Sequence, residues 1–387
     1  MNHPLNPAVT STVSSPISEA YSWLEHTDLP AGVDLIDVSQ AVPGYPPAAE
    51  LTDHVAGRLS DPAMSRYGPV LGMPEVRAAF AENTSRAYAT SIDASQVAIT
   101  AGCNQAFSLV STALCSPGDE FIVPVPYYFN HDMWLRIQGI VPRYLECDDA
   151  MIPRLERVEE LVNERTRALV LITPNNPTGT VYSPGTIQAF ARACARLGIT
   201  LVLDETYRDF RPSTEPAHRV FDGEWWTHVV HLYSFSKTYS ITGYRTGAIV
   251  ADPHLLFEID KIADCIAICP PRAGQEAALY GMTHLGGWVE ANRRAMNGRV
   301  DRFRQEMAAA PTGFDIVAAG AYFAYVRHPY AAKSGTEVAR RLLSEHAVIC
   351  LAGEMFGPDQ QPFLRLAFAN LDDEMIPELV RRLAASS

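Results

Sequence analysis

The chain is expected to fold as an α/β protein, a mainly parallel central sheet sandwiched by helices, with a smaller α+β domain beside it. Three observations lead there. Apolar, β-rich runs alternate with helical stretches through the middle of the chain. One of these runs, 168–173, is apolar without a break, as a strand buried on both faces must be. The polar residues of chemical interest follow the ends of such runs, where open α/β sheets bind their ligands.

Taken in order, residues 96–100 form a short β-rich run that leads into Gly102-Cys103-Asn104. Residues 106–115 have helical character and stop at the turn sequence Ser116-Pro117-Gly118-Asp119. A strand follows at 120–125, and the strand at 168–173 runs into Asn175-Asn176. Residues 187–197 read as a helix closed by Gly198, and 199–203 as a strand ending at Asp204-Glu205. The runs 229–234 and 248–251 complete the set. After about Gln275 the pattern changes to long polar-apolar helices (275–283, 288–308), a short strand section (321–326) and a helix (336–345). This divides the chain into an N-terminal arm and segment (1–45) packed on a small C-terminal domain (281–387), with a large domain (46–280) between them. Residues 1–17, rich in Pro, Ser and Thr, read as a flexible arm. No internal repeat is visible.

Composition excludes several functions. Of 387 residues, 47% are hydrophobic and 19% charged, which suits a large core and not a disordered chain. A net charge of −13 argues against general binding of nucleic acid or anionic membrane, since both require a basic face. No run is long and apolar enough for a membrane span, and no signal pattern opens the chain, so a cytoplasmic location is expected. The cysteines at 103, 115, 147, 194, 265, 269 and 350 are odd in number and scattered, which fits neither a disulfide framework nor a metal site.

The most informative stretch is Ser234-Phe235-Ser236-Lys237, followed by Thr242-Gly243-Tyr244-Arg245-Thr246-Gly247. A strand that ends in hydroxyls and cations can hold a phosphate, and a lysine beside it can bond an aldehyde. Those are the needs of pyridoxal 5'-phosphate (PLP), which lysines hold as a Schiff base. The competing reading of this stretch alone is a surface loop with an ordinary Lys and Arg.

Together with Asn175-Asn176-Pro177-Thr178-Gly179 and Asp204-x-x-Tyr207, this stretch occurs in the order and spacing of the class I/II aminotransferases. From about Leu35 to Leu379 the chain resembles that family of fold-type-I PLP enzymes. Within it, the loop Val38 to Pro47 is similar to that of kynurenine and glutamine–phenylpyruvate aminotransferases, with Ala41 in place of the usual glycine as a candidate substrate contact.

The resemblance implies a role for each matched position. Lys237 would form the internal aldimine and then act as general base at the substrate α-carbon. Asp204 would face the pyridine nitrogen, Tyr207 and Asn176 the 3-oxygen, and Tyr128 would stack on the ring. Gly102, Cys103, Asn104, Ser234, Ser236 and Arg245 would hold the phosphate, helped by a helix N-terminus. His131 would sit behind Asp204. Tyr67, in Arg66-Tyr67-Gly68-Pro69, matches a tyrosine that reaches the neighbouring subunit's phosphate, which implies a homodimer. Arg365, in the apolar run Phe363-Leu364-Arg365-Leu366, would bind the substrate α-carboxylate, with Asn176 beside it.

The expected activity is therefore transfer of an amino group from an amino acid to a 2-oxo acid, in ping-pong order. The alternative is a PLP lyase or synthase acting at Cβ or Cγ, as 1-aminocyclopropane-1-carboxylate synthases do with S-adenosylmethionine. A DNA-binding regulator on the same scaffold would need a basic N-terminal domain, which this sequence lacks. For specificity, Tyr21, Trp23, Val42 and Tyr45 are candidates either for the pocket or for the small-domain core, and Asp264 for a contact that repels acidic side chains.

Overall fold

The computed structural model describes residues 3–386. Thirteen strands are assigned among them, and three groups of strands organise the chain. Strand β1 (Ile36–Asp37) is followed by β2 (Val97–Thr100), β3 (Glu120–Val125), β4 (Val141–Glu146) and β5 (Thr166–Ile172). Next come β6 (Thr200–Asp204), β7 (Val229–Ser234), β8 (Gly247–Val250), β9 (Asp315–Gly320) and β10 (Phe323–Arg327). The series ends with β11 (Val348–Ile349), β12 (Leu351–Ala352) and β13 (Phe363–Leu366).

The large sheet has the order β2-β8-β7-β6-β5-β3-β4 and is parallel except for β8, which runs against both of its neighbours. Its central strands are mostly apolar because each face is covered. Leu169, Leu171, Leu201 and Leu203 enter one core, while Ala168, Val170, Ile172 and Val202 alternate into another on the opposite face. Register then aligns the strand ends that matter. Ile172 pairs with Asp204, and Gly247 pairs with both Thr100 and Ser234. The ends of β2, β5, β6 and β7 thus share one edge of the sheet.

A second, antiparallel sheet, β12-β13-β10-β9, packs with the helices Gly286–Ala309, Gly335–His346 and Met375–Ser386 around Phe303, Phe323, Phe356 and Leu364. β1 pairs in parallel with β11, which ties residues 36–37 to the C-terminal part of the chain. The strand section expected at 321–326 is β10, which starts at Phe323, and the preceding strand β9 was not foreseen. Ala321, with a φ of 47°, lies in the turn between them.

The expectation of a flexible arm over residues 1–17 is corrected for the described residues. Pro7–Thr10 and Pro16–Glu25 are helices, each with proline in its first turn, where the ring costs no hydrogen bond. Pro16, Ala20 and Trp23 are buried at spacings of four and three, so one stripe of the second helix docks on the core.

Candidate active site

The strand ends, the loop 39–42 and β13 enclose a cavity of about 530 Å³. Most residues singled out in the sequence line it: Ala41, Cys103, Asn104, Tyr128, Asn176, Asp204, Tyr207, Ser234, Ser236, Lys237, Arg245 and Arg365.

At one end, β2 leads through Gly102 into the helix Cys103–Leu114, whose first N–H groups have no side-chain cap. Gly102 has a φ of 88°, and a Cβ there would meet Arg245 Nη2 at 2.5 Å. Only glycine lets the guanidinium approach so closely. Arg245 itself has a φ of 55°, and its Nη1 donates to the Thr242 carbonyl at 3.0 Å. The Ser236 hydroxyl is buried without a protein partner. Free helix N–H groups, an orphaned hydroxyl and a guanidinium against a glycine cradle make an anion site, and this donor set fits a phosphate. Cys103 contributes no thiolate, because burial and the Asp204 carboxylate push its pKa well up.

Along the floor, Asp204 is buried, and its Oδ1 accepts from the Thr206 N–H at 2.9 Å. Burial raises its pKa against the pull of Thr206. His131 Nε2 lies 3.7 Å from Asp204 Oδ2. Burial lowers the His131 pKa to about 3, so the ring is neutral, and it stacks on Phe107 at 3.7 Å between centroids. Tyr128 donates to Asn104 Oδ1 at 3.2 Å. Tyr207 is held by the rings of Tyr322 and Phe323. Asn175 and Asn176 divide the work of their turn. Asn175 Oδ1 accepts from the Thr178 N–H and hydroxyl, whereas Asn176 Oδ1 accepts from Arg365 Nη1 at 3.2 Å.

Lys237 Nζ donates to the Ala41 carbonyl at 2.5 Å. Burial, with Arg245 and Arg365 nearby, lowers its pKa to about 8, so a substantial share is neutral near physiological pH. Arg365 is 2% exposed and lies between the rings of Phe323 and Phe356, 5.2 and 5.1 Å from their centroids. Its Nη2 donates to the Ser39 carbonyl, its Nε lacks a partner, and burial lowers its pKa to about 10. No carboxylate of the described residues forms an ion pair with it, which marks it as a receptor for an external anion.

Some expected residues lie elsewhere. Tyr67 is 76% exposed and does not line the cavity of its own chain. Asp264 is exposed on the helix Pro253–Ala267 and is also absent from the lining. Tyr21 donates to Asp37 Oδ2 at 2.6 Å, Trp23 is core, and Tyr45 packs edge-on against Trp288, so of the four specificity candidates only Val42 reaches the cavity. Several lining residues were not foreseen: Thr206, Gln40, Asn130 and, at the start of the helix Pro16–Glu25, Ile17, Ser18 and the preceding Ser15. Phe323 and Phe356, which sandwich Arg365, were also missed. The buried stripe of residues 16–23 was the signal available for the helix; the two phenylalanines carry no local signal.

The family model for aminotransferases of class I and II matches residues 34–383. The chain is 28% identical to the aromatic aminotransferase ISS1 of Arabidopsis thaliana, over 90% of this chain and 88% of that one. It is 30% identical to the arginine–pyruvate transaminase AruH of Pseudomonas aeruginosa, over 83% of this chain and 82% of that one. The fold is similar to that of the aspartate aminotransferase of Thermus thermophilus with maleate, with a TM-score of 0.90 and 25% identity over the whole of both chains. These matches favour transamination over elimination or cyclisation.

Proposed function

The chain belongs to the class I and II aminotransferases, and from that premise we propose that it is a PLP-dependent enzyme exchanging amino groups between an amino acid and a 2-oxo acid at a single site. When bound, PLP supplies an aldehyde that accepts the amino group and a ring that takes up the electrons released at Cα. Arg245, Ser234, Ser236 and the N–H groups after Gly102 would hold its phosphate, Asp204 would serve its ring nitrogen, and Tyr128, Tyr207 and Asn176 would hold the ring. Lys237 would be the anchoring amine and, once freed, would take the proton from the donor's α-carbon onto Nζ and pass it on; in the second half-reaction it would supply a proton to the α-carbon of the acceptor. Its pKa of about 8 suits both directions of that transfer near neutrality. Arg365 binds the α-carboxylate and, with Asn176, fixes which bond at Cα breaks.

The observation that carries this reading is the meeting of three cations, Lys237, Arg245 and Arg365, with the Asp204 carboxylate in one cavity. Borohydride reduction of the loaded enzyme followed by peptide mapping should label Lys237. An amino donor supplied without acceptor should yield one equivalent of pyridoxamine phosphate per site. Catalytic release of ammonia, or of a ring product from S-adenosylmethionine, would replace transamination with the lyase or synthase alternative.

The reading extends to a homodimer in which Tyr67 reaches the partner's phosphate site; its exposure supports this. The segments 46–280 and 281–387, with 1–45 on the latter, would be its working domains. All seven cysteines are free thiols, which supports residence in a reducing compartment such as the cytoplasm. No described helix is long and apolar enough to cross a membrane.

A further inference from the structure

Lys237 stands on very little regular structure. Its helix, Phe235–Thr238, is a single turn of four residues. So short a helix does not hold itself together and depends on tertiary contacts. The lysine side chain then adds a flexible four-carbon stem. Whatever fixes the reach of Nζ must therefore grip the backbone of the turn from outside.

Three oxygens provide that grip. Tyr233, on β7, lies four residues before Lys237, and Thr238 lies one after it. The Tyr233 hydroxyl donates to Asp209 Oδ2 at 2.6 Å, and the Thr238 hydroxyl donates to the same oxygen at 2.9 Å. The two hydroxyls are 2.8 Å apart, so the three atoms form a closed triangle. Asp209 belongs to the short turn Arg208–Phe210 that follows β6. One carboxylate oxygen thus ties the end of β6 to both sides of the lysine. Arg208 backs the group, 4.1 Å from the centroid of the Tyr233 ring and with Nε 3.7 Å from Asp209 Oδ1. From the turn between β9 and β10, the Tyr322 hydroxyl donates to the Lys237 carbonyl at 3.4 Å. Tyr233, Thr238 and Asp209 do not line the cavity.

We propose that Asp209 is a positioning residue for the chemistry of Lys237, acting through Thr238 and Tyr233. Nζ has to serve two places, the PLP aldehyde and the substrate α-carbon, so its side chain moves while its backbone stays fixed. A misplacement of about 1 Å in such a site costs ~10²-fold in rate. A carboxylate suits the task, since one ionised oxygen accepts both hydroxyl protons in charge-assisted bonds. The proposal rests on the aminotransferase reading and extends it to residues outside the cavity.

Thr238→Val removes the hydroxyl and keeps the branched shape, whereas Thr238→Ser keeps the hydroxyl. Two rates are read. In cofactor-free protein mixed with PLP, neutral Lys237 Nζ condenses with the aldehyde, forming the C=N bond and releasing water, and absorbance follows the capture. In loaded protein, single-turnover conversion is measured with whichever of phenylalanine, glutamine, aspartate and arginine the parent converts fastest. Thr238→Val should slow both rates by ~10- to 100-fold while the donor Kd stays within ~2-fold. Thr238→Ser should stay within ~3-fold of the parent in both. Asp209→Ala should slow both as far as Thr238→Val does, and the double variant no further, because one contact is lost in each case. If Asp209→Ala does not fold, the two Thr238 variants decide. A lower melting temperature for Thr238→Val with both rates unchanged makes the triangle a folding device and overturns the proposal. Equal slowing by valine and serine overturns it as well. A parent protein that captures no PLP overturns the aminotransferase reading along with it.

Discussion

Asp204 and Glu205 are consecutive carboxylates at the end of β6, both buried, and they face opposite sides of the sheet. Asp204 looks into the cavity. Its Oδ1 accepts from the Thr206 N–H, with the Thr206 hydroxyl and the Cys103 thiol as further neutral donors, and its pKa is raised by burial. Glu205 looks into the protein, where Tyr88 and His218 donate to its Oε2, and His231 Nε2 lies 3.1 Å from the same oxygen. Burial alone would raise its pKa, but His218 and His231 hold it well below the usual range. His218 Nδ1 accepts from the Val220 N–H, so the proton of a neutral His218 is on Nε2, facing Glu205.

Two buried arginines repeat the contrast. Arg208 bonds Asn83 Oδ1 at 2.5 Å, lies 3.7 Å from Asp209 and stacks 4.1 Å over Tyr233. Arg365 has rings, an amide and a carbonyl, but no counter-charge. A buried charge answered by the protein serves the fold; one left unanswered is kept for a ligand. That distinction can be broken experimentally, residue by residue.

The largest effect is expected at Lys237. Lys237→Ala should lower turnover by at least ~10⁴-fold, combining loss of the anchoring amine with loss of proton transfer. The far-UV circular dichroism should stay that of the parent protein.

Arg365→Ala and Glu205→Gln should then part company. The first should weaken binding of a carboxylate substrate by about 2–5 kcal/mol, measured as kcat/KM, with little change in urea midpoint because no internal ion pair is lost. The second should cost about 3–5 kcal/mol of stability in urea titration, since it leaves the surrounding donors and Arg208 facing an uncharged amide. Equal effects of the two substitutions on stability would dissolve the contrast.

Acidification sharpens it. Glu205 has a folded pKa below its ordinary 4.5, so its contribution is complete above that value and is lost as pH falls through the lower, folded one. Glu205→Gln should flatten that part of the acid unfolding curve. Lys237 acts at the other end. In cofactor-free protein its folded pKa of about 8 lies below the ordinary 10.5, so the unfolded chain binds more protons between the two. Stability should climb with pH across that window, and Lys237→Met should flatten the climb.

The smallest effect is reserved for Tyr67. Tyr67→Phe should weaken PLP retention in dialysis of the loaded protein roughly tenfold, the worth of one hydrogen bond to a charged group. Unchanged retention would take Tyr67 out of the partner's site.

The same contrast explains what could be read in the sequence. Strands β5, β6 and β7 were legible because short, largely apolar, β-rich runs have few other uses. The edge strand β4 was missed; only Leu145 of it is fully buried, so no apolar run announces it. Lys237, Asn176, Asp204 and Arg365 were legible because each stands in a short string whose neighbours are constrained with it. The Glu205 cluster was invisible, since Tyr88, His218 and His231 come from three distant places and are ordinary residues there. The first 17 residues were misread because Pro, Ser and Thr suggest a loose arm, while two of the three prolines, Pro7 and Pro16, open helices and the buried stripe is only three residues long.

Arg245 closes the matter from the side of the backbone. It occupies the left-handed region, a posture that L-residues with a Cβ adopt at a cost of roughly 1–2 kcal/mol and that glycine accepts freely. Glycine at 245 would relieve the main chain but leave nothing to reach Gly102. The fold therefore tolerates an uncomfortable residue where a comfortable one would be mute, and a search for relaxed, stabilised versions of this chain should leave that discomfort alone.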